Sequence, residues 1–141
     1  VGSEMCIRDR ARELGVAEQV KFLGQVPDAR RYFRAFDVFA LSSDHEPFGM
    51  VLLEAMAAGV PLLATACGGA KEVVEGVGIL FPLGDVEHLA QGIKHLSVLT
   101  DEQRHACADL MLARLHERFS DQAVHDRFWQ LPQVTDLTAG A

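Results

Sequence analysis

Apolar residues in this chain fall into short, nearly unbroken runs separated by longer amphipathic stretches. Val60 to Thr65 and Val77 to Phe81 are apolar blocks of strand length, and Phe36 to Leu41 is interrupted only by Asp37. Continuous blocks bounded by Gly, Pro or polar loops predict strands covered on both faces. Val20-Lys21-Phe22-Leu23 alternates instead, and predicts a further short strand closed by Gly24. Pro61 stands near the start of its block, where a strand tolerates proline.

The stretches between these blocks carry helix signals. Ala11 to Leu14 followed by Gly15 reads as the last turn of a helix. Asp28 predicts a cap for a helix over about Ala29 to Ala35, with Tyr32, Phe33 and Phe36 on one side. Gly49 opens a helix that should carry Met50, Leu53, Met56 and Ala57 inward before ending at Gly59. A short helix is expected around Glu72 to Glu75 after a flexible turn at Gly68-Gly69. Asp85 should cap a helix through about Leu96, and Thr100 should begin another reaching about Phe119. Ser120 predicts a last one, to about Leu131, where Pro132 stops it. Strands thus alternate with helices along the chain. The predicted class is α/β, a Rossmann-like parallel sheet flanked by helices.

Composition narrows the function more than the fold. With 141 residues and 49% apolar content the chain suits one domain with a real core. A net charge of −7 disfavours a nucleic-acid surface, because affinity there comes from Lys and Arg on phosphates. Arg30, Arg31 and Arg34 form a local basic cluster, read as a solvated helix face. No apolar stretch reaches membrane-spanning length. Cys6, Cys67 and Cys107 have no metal-ligand spacing, which predicts reduced thiols and a cytoplasmic setting. The His88/His95 and His105/His116 pairs lack the close i, i+4 spacing of a metal site, and no metal is expected. Trp129, Phe119 and Phe128 are expected to dock the terminal helix. Val1 to Arg10 lacks clean periodicity and reads as foreign sequence. That leaves a domain over residues 11–131 and a flexible tail over 132–141.

The chemistry concentrates where the first apolar block meets its helix. Glu46 and Glu54 bracket Pro47-Phe48-Gly49-Met50 and three further apolar residues. The chain has ten glutamates, so the bare spacing says little; the context says more. Pro47 fixes a turn, Gly49 permits close backbone approach, and the new helix presents free N–H groups and the positive end of its dipole. Such a junction suits the diphosphate of a nucleotide sugar. Glu46 could then reach a sugar hydroxyl, and Glu54, on the second helical turn, could accept two hydrogen bonds from a ribose diol. Gly68-Gly69, between a strand and a helix, reads as a second loop open to phosphate or sugar, with packing as the plainer alternative.

In order along the chain stand Val20-Lys21-Phe22-Leu23-Gly24, then Ser42-Ser43 and Glu46-Pro47-Phe48-Gly49, then Glu54-Ala55-Met56-Ala57, Gly59 and Pro61. Gly68-Gly69, Glu72-Val73-Val74 and Gly78 to Asp85 follow. Over about Ala11 to Gln130 this resembles the C-terminal, donor-binding half of a GT-B fold, family 4 type retaining glycosyltransferase. The resemblance implies a hexosyltransferase that takes its sugar from a nucleotide sugar, UDP-glucose being one candidate. The acceptor would be a glycan or lipopolysaccharide-type molecule. It implies Glu46 on the donor sugar and its oxocarbenium-like transition state. It also implies backbone contacts from Phe48, Gly49 and Met50, ribose binding by Glu54, and no cofactor or metal. The family's diphosphate-gripping Arg and Lys, and its acceptor domain, would lie upstream of Ala11. The chain alone is therefore expected to be inactive, to bind donor weakly and to leave a sheet edge uncovered. The resemblance also implies that the full-length parent works in the cytoplasm, at the inner face of the membrane. A GT-B epimerase or phosphorylase, or a non-catalytic nucleotide-binding module, is the alternative reading.

Overall fold

The structure is a computed structural model and describes residues 4–132 and Val134. The rest of the expected tail, and Val1 to Ser3, lie outside the described residues. Three strands, β1 (Phe39–Leu41), β2 (Leu62–Thr65) and β3 (Ile79–Phe81), form a parallel sheet in the order β1-β2-β3. Leu63 lies opposite Ala40 on one side and Ile79 on the other. Among the described residues six α-helices accompany it, α1 (Glu4–Glu13), α2 (Met50–Ala57), α3 (Ala70–Val74), α4 (Val86–Ser97), α5 (Asp101–Phe119) and α6 (Asp121–Trp129), with 3-10 helices at Ala17–Gln19 and Ala29–Ala35.

The side-chain alternation of a strand sorts the core into two layers. Leu62 and Ala64 of β2 point into the larger cluster, with Leu52, Ala55 and Met56 of α2, Val73 and Val74 of α3, and Met111 of α5. Leu63, between them, joins Phe81 and Leu96 on the other face, under α4. Every residue of β2 is buried, which is why its sequence is a continuous apolar run. α4 comes close to the sheet at Gly92, where an added Cβ would stand 2.7 Å from Leu63 Cδ1.

The expected elements form with four differences. Val20 to Leu23 is no strand: Val20 is extended, but the segment pairs with no neighbouring backbone among the described residues. An extended segment becomes a strand only when another backbone takes its N–H and C=O groups; here Phe22 lies under the Arg8 guanidinium instead, 4.3 Å from its ring centre. Residues Ala29–Ala35 form a 3-10 helix, and Asp28 does not cap it. Its backbone is left-handed, φ 53°, and its carboxylate binds Arg30 and Arg31 at 2.8 and 2.5 Å. Only Phe33 of its aromatic side is buried, stacked obliquely on Phe39. α2 buries Leu52, Ala55 and Met56, whereas Met50 is 62% exposed and Ala57 is also exposed. Met56 is buried as expected and Leu53 packs half-buried against the core, while Leu52 and Ala55 take the inward positions expected of Met50 and Ala57. Residues Glu4–Arg10, where no periodicity was expected, are helical. Ion pairs Arg8–Glu4, Arg12–Asp9 and Arg10–Glu13 run along α1, and Ala11 is its one buried residue. Pairs of this kind support a helix without an apolar stripe.

The later helices begin where their caps predict. Thr100 Oγ1 accepts from the Gln103 N–H at 3.3 Å while the Gln103 side chain accepts from the Thr100 N–H at 2.9 Å. This reciprocal box satisfies two donors that would otherwise be orphaned. Ser120 accepts from the Ala123 N–H and so starts α6. Arg104 fastens α5 to the rest by donating to the carbonyls of Asp37 and Ser97. At the start of α4, Asp85 accepts from the His88 N–H at 3.0 Å and from the His88 ring at 2.6 Å. The backbone bond is the main reason its carboxyl is held below the ordinary value of 3.8.

Two stability predictions follow from these caps. Thr100→Ala should lower unfolding free energy by about 1 kcal/mol in urea titrations; no change would mean that the box is not formed. Because the folded form of Asp85 titrates low, its contribution is present above the ordinary carboxylate range and is lost as pH falls through its folded value. The stability gap between wild type and Asp85→Ala should therefore narrow as the pH is taken below 3.8. A gap that stays constant across that range would contradict the charged cap.

Candidate functional site

β1 ends at Leu41 and hands the chain to an irregular loop, residues 42–49, at the carboxyl edge of the sheet. Two stitches hold that loop to the end of β2. Thr65 Oγ1 donates to the Leu41 carbonyl at 3.3 Å, and Cys67 Sγ to the Ser43 carbonyl at 3.4 Å. The third stitch is the tightest: the Gly69 N–H donates to the Glu46 carbonyl at 2.9 Å. The two loops are in backbone contact here. A Cβ on Gly68 would stand 2.0 Å from the Glu46 carbonyl oxygen, and one on Gly69 would stand 2.5 Å from Phe48 Cα. Gly68 also has φ +44°. Gly68-Gly69 is therefore a packing floor for the Glu46–Phe48 segment rather than a flexible turn.

On that floor the chain turns into α2. Gly49 takes φ +95°, and its carbonyl accepts from the N–H groups of Leu52 and Leu53 at 2.9 and 3.3 Å. No side chain caps this helix start. That leaves the N–H groups of Met50 and Val51 with no acceptor among the described residues, at the positive end of the helix dipole.

The two glutamates are placed differently. Glu46 is half-buried in the loop, beside Gly49, and Glu54 is half-buried on α2. Neither carboxylate makes a hydrogen bond or ion pair among the described residues. Both carboxylates keep contact with solvent, since neither has an oxygen buried without a partner, and so both are open to an incoming hydroxyl donor. Glu54 opens into a cavity of about 330 Å³ that it lines with Arg30, Arg31, Arg34, Ala57 and Ala58; Glu46 is not among its lining residues. These arginines were read from sequence as a solvated face. Their spacing could not show that the 3-10 helix lays them beside Glu54. Phe48 is 41% exposed, with its ring edge-on to Phe119 at 6.2 Å. His45 and Lys71 face solvent. Cys6, Cys67 and Cys107 form no disulfide with one another. Among the described residues no three His, Cys, Asp or Glu side chains gather to hold a metal ion, and no helix is long and apolar enough to cross a membrane.

A parallel sheet with helices on both faces, and a glycine-floored loop feeding an uncapped helix at its carboxyl edge, is an open α/β arrangement of the kind found in one half of a GT-B fold. The chain belongs to the glycosyl transferases group 1 family, whose profile matches residues 1–98. It is 35% identical over 123 residues to the lipopolysaccharide core biosynthesis glycosyltransferase LpsE of Rhizobium meliloti (strain 1021), a match covering 86% of this chain and 36% of that protein. Among solved structures it is similar to the sucrose-phosphate synthase of Thermosynechococcus elongatus, with a TM-score of 0.79 and 30% identity over 97% of this chain and 35% of that one. It is also similar to Anabaena HepE in complex with UDP-glucose, with a TM-score of 0.76 and 28% identity over 97% of this chain and 36% of that one. The chain thus spans about a third of the proteins it matches, in agreement with the half-fold expected from its motifs.

The glycine floor makes a checkable claim about packing. Gly68→Ala and Gly69→Ala should each cost about 1–3 kcal/mol of unfolding free energy, because backbone atoms of the neighbouring loop must move. Gly76→Ala is the comparator: it has φ +80° but nothing within 4 Å of an added Cβ, so only local strain acts. If all three variants lose the same amount in urea titrations, close approach is not what selects glycine here.

Proposed function

We propose that this chain is the donor-binding part of a retaining hexosyltransferase, which moves a sugar from a nucleotide sugar to a glycan or lipopolysaccharide-type acceptor. The observation that carries this reading is the pair of partnerless, half-buried carboxylates on either side of an uncapped helix start. In this reading the first-turn N–H groups of α2 and its dipole receive the diphosphate, with backbone contacts from Phe48, Gly49 and Met50. Glu46 accepts hydrogen bonds from donor-sugar hydroxyls and stabilises the positive charge that grows on the ring as the glycosidic bond to phosphate breaks. The leaving phosphate takes the acceptor's proton on the same face, so the configuration is retained.

Glu54 takes the ribose diol. The guanidinium groups of Arg30, Arg31 and Arg34 around its cavity offer cationic planes for a base ring. Gly68 and Gly69 hold the Glu46 loop at the height this geometry needs. HepE, solved with UDP-glucose, supports a uridine donor, and LpsE supports an acceptor from lipopolysaccharide core assembly. The parent would then act in the cytoplasm at the inner membrane face, with the acceptor held by a region outside these residues. No cofactor is needed for this chemistry.

The two acids should separate in the full-length parent. Glu46→Gln should lower kcat about 100-fold to 1,000-fold while UDP affinity stays within about twofold. Glu54→Ala should weaken UDP binding by about 10-fold to 100-fold, as expected for losing a charged hydrogen-bond acceptor. Initial rates and UDP titration calorimetry check both, and interchanged effects would sink the assignment. The 141-residue chain alone should show no turnover with UDP-glucose and weak UDP binding.

A further inference from the structure

A second cavity lies between Phe48, α3, the end of α5 and α6. It has a volume of about 350 Å³, in the range of small-molecule pockets. Its walls are Phe48, Phe119, Val124 and Phe128, with Arg118 and Arg127 among the residues around them. α6 buries none of its residues, and Val124 and Phe128 are 52% and 51% exposed. An apolar hollow of this size beside a helix with no buried side chain has room for an apolar guest.

The charges around it select the guest. Arg127 donates to the Arg118 carbonyl and has Glu72 at 3.8 Å, so its charge is partly answered. The Arg118 guanidinium makes no ion pair among the described residues. The lining therefore carries two cations and the single anion Glu72, in a chain whose net charge is −7. We propose that this cavity binds a monomeric amphipathic anion, an alkyl chain bearing a phosphate, with the chain between Phe128 and Phe119 and the phosphate on Arg118. Guanidinium and phosphate make strong charge-assisted hydrogen bonds, while burial of the alkyl chain against the aromatic wall supplies the non-directional part. The site is separate from the Glu46 and Glu54 positions but shares Phe48 with the donor loop.

Titration calorimetry on the full 141-residue chain tests this with octyl phosphate and, as the neutral probe of equal chain length, octyl glucoside. Octyl phosphate should bind one-to-one and saturably, at least about tenfold more tightly than octyl glucoside. Arg118→Gln should remove most of that preference. Val124→Glu, at an exposed position that folding does not depend on, should abolish binding while circular dichroism stays unchanged. Absence of saturable octyl phosphate binding would overturn the proposal, as would equal affinity for both probes or wild-type binding by Val124→Glu. Sedimentation with phosphatidylglycerol vesicles, without binding of monomeric octyl phosphate, would overturn it in favour of a membrane surface. No nucleotide is present in this experiment, so its outcome is independent of the donor-site assignment.

Discussion

Everything at the carboxyl edge of the sheet depends on one backbone contact. The Gly69 N–H meets the Glu46 carbonyl, and neither Gly68 nor Gly69 has room for a side chain between the two loops. A hydrogen bond of this kind contributes only about 1 kcal/mol net. Its importance is geometric, because it sets the height of Glu46 and the direction in which the chain enters α2. The strand ends are fastened to each other by the Thr65 and Cys67 bonds, so the floor moves with the sheet. Rigid support of this sort is what a loop needs if its side chain is to meet a transient charge at a fixed distance.

The sheet supplies the support because its middle strand is inaccessible. β2 is buried at every position and shares its side chains between two cores, so neither face can shift without disturbing the other. β1 and β3 each pair on one side only among the described residues. Ala40 in β1 is exposed, and Tyr32, Phe36 and Leu23 nearby are 40% exposed or more. Helices cover both faces of the sheet, as parallel sheets require.

Most of the fold was legible because its signals are local. Thr100, Ser120, Asp85 and Gly49 mark helix starts through their own chemistry, and the apolar blocks mark strands through length and flanking glycines. The misreadings concern relations between distant residues. Val20 to Leu23 has the pattern of a strand, but pairing is a property of two segments and the second is not written in the first. Asp28 has the identity of a cap, but its carboxylate is taken by Arg30 and Arg31. The glycines were legible as a packing turn, but not what they pack against, because those residues are more than 20 positions away. The arginines are exposed, as their spacing predicts, and only the fold shows that they line a cavity with Glu54.

The separation of the two glutamates follows from how each is held. Glu46 sits in a loop whose conformation is fixed from below by glycines, so its position is set by tertiary contact and is sensitive to sub-ångström change at Gly68 and Gly69. Glu54 sits on a helix anchored by Leu52, Ala55 and Met56, so its position is set by the core and is insensitive to the loop. A group that must match a charge present only in the transition state needs the first kind of support, because a small displacement there lowers the rate. A group that binds the same hydroxyls before and after reaction needs only the second. The proposed roles, sugar for Glu46 and ribose for Glu54, ask of each acid the kind of support its position has.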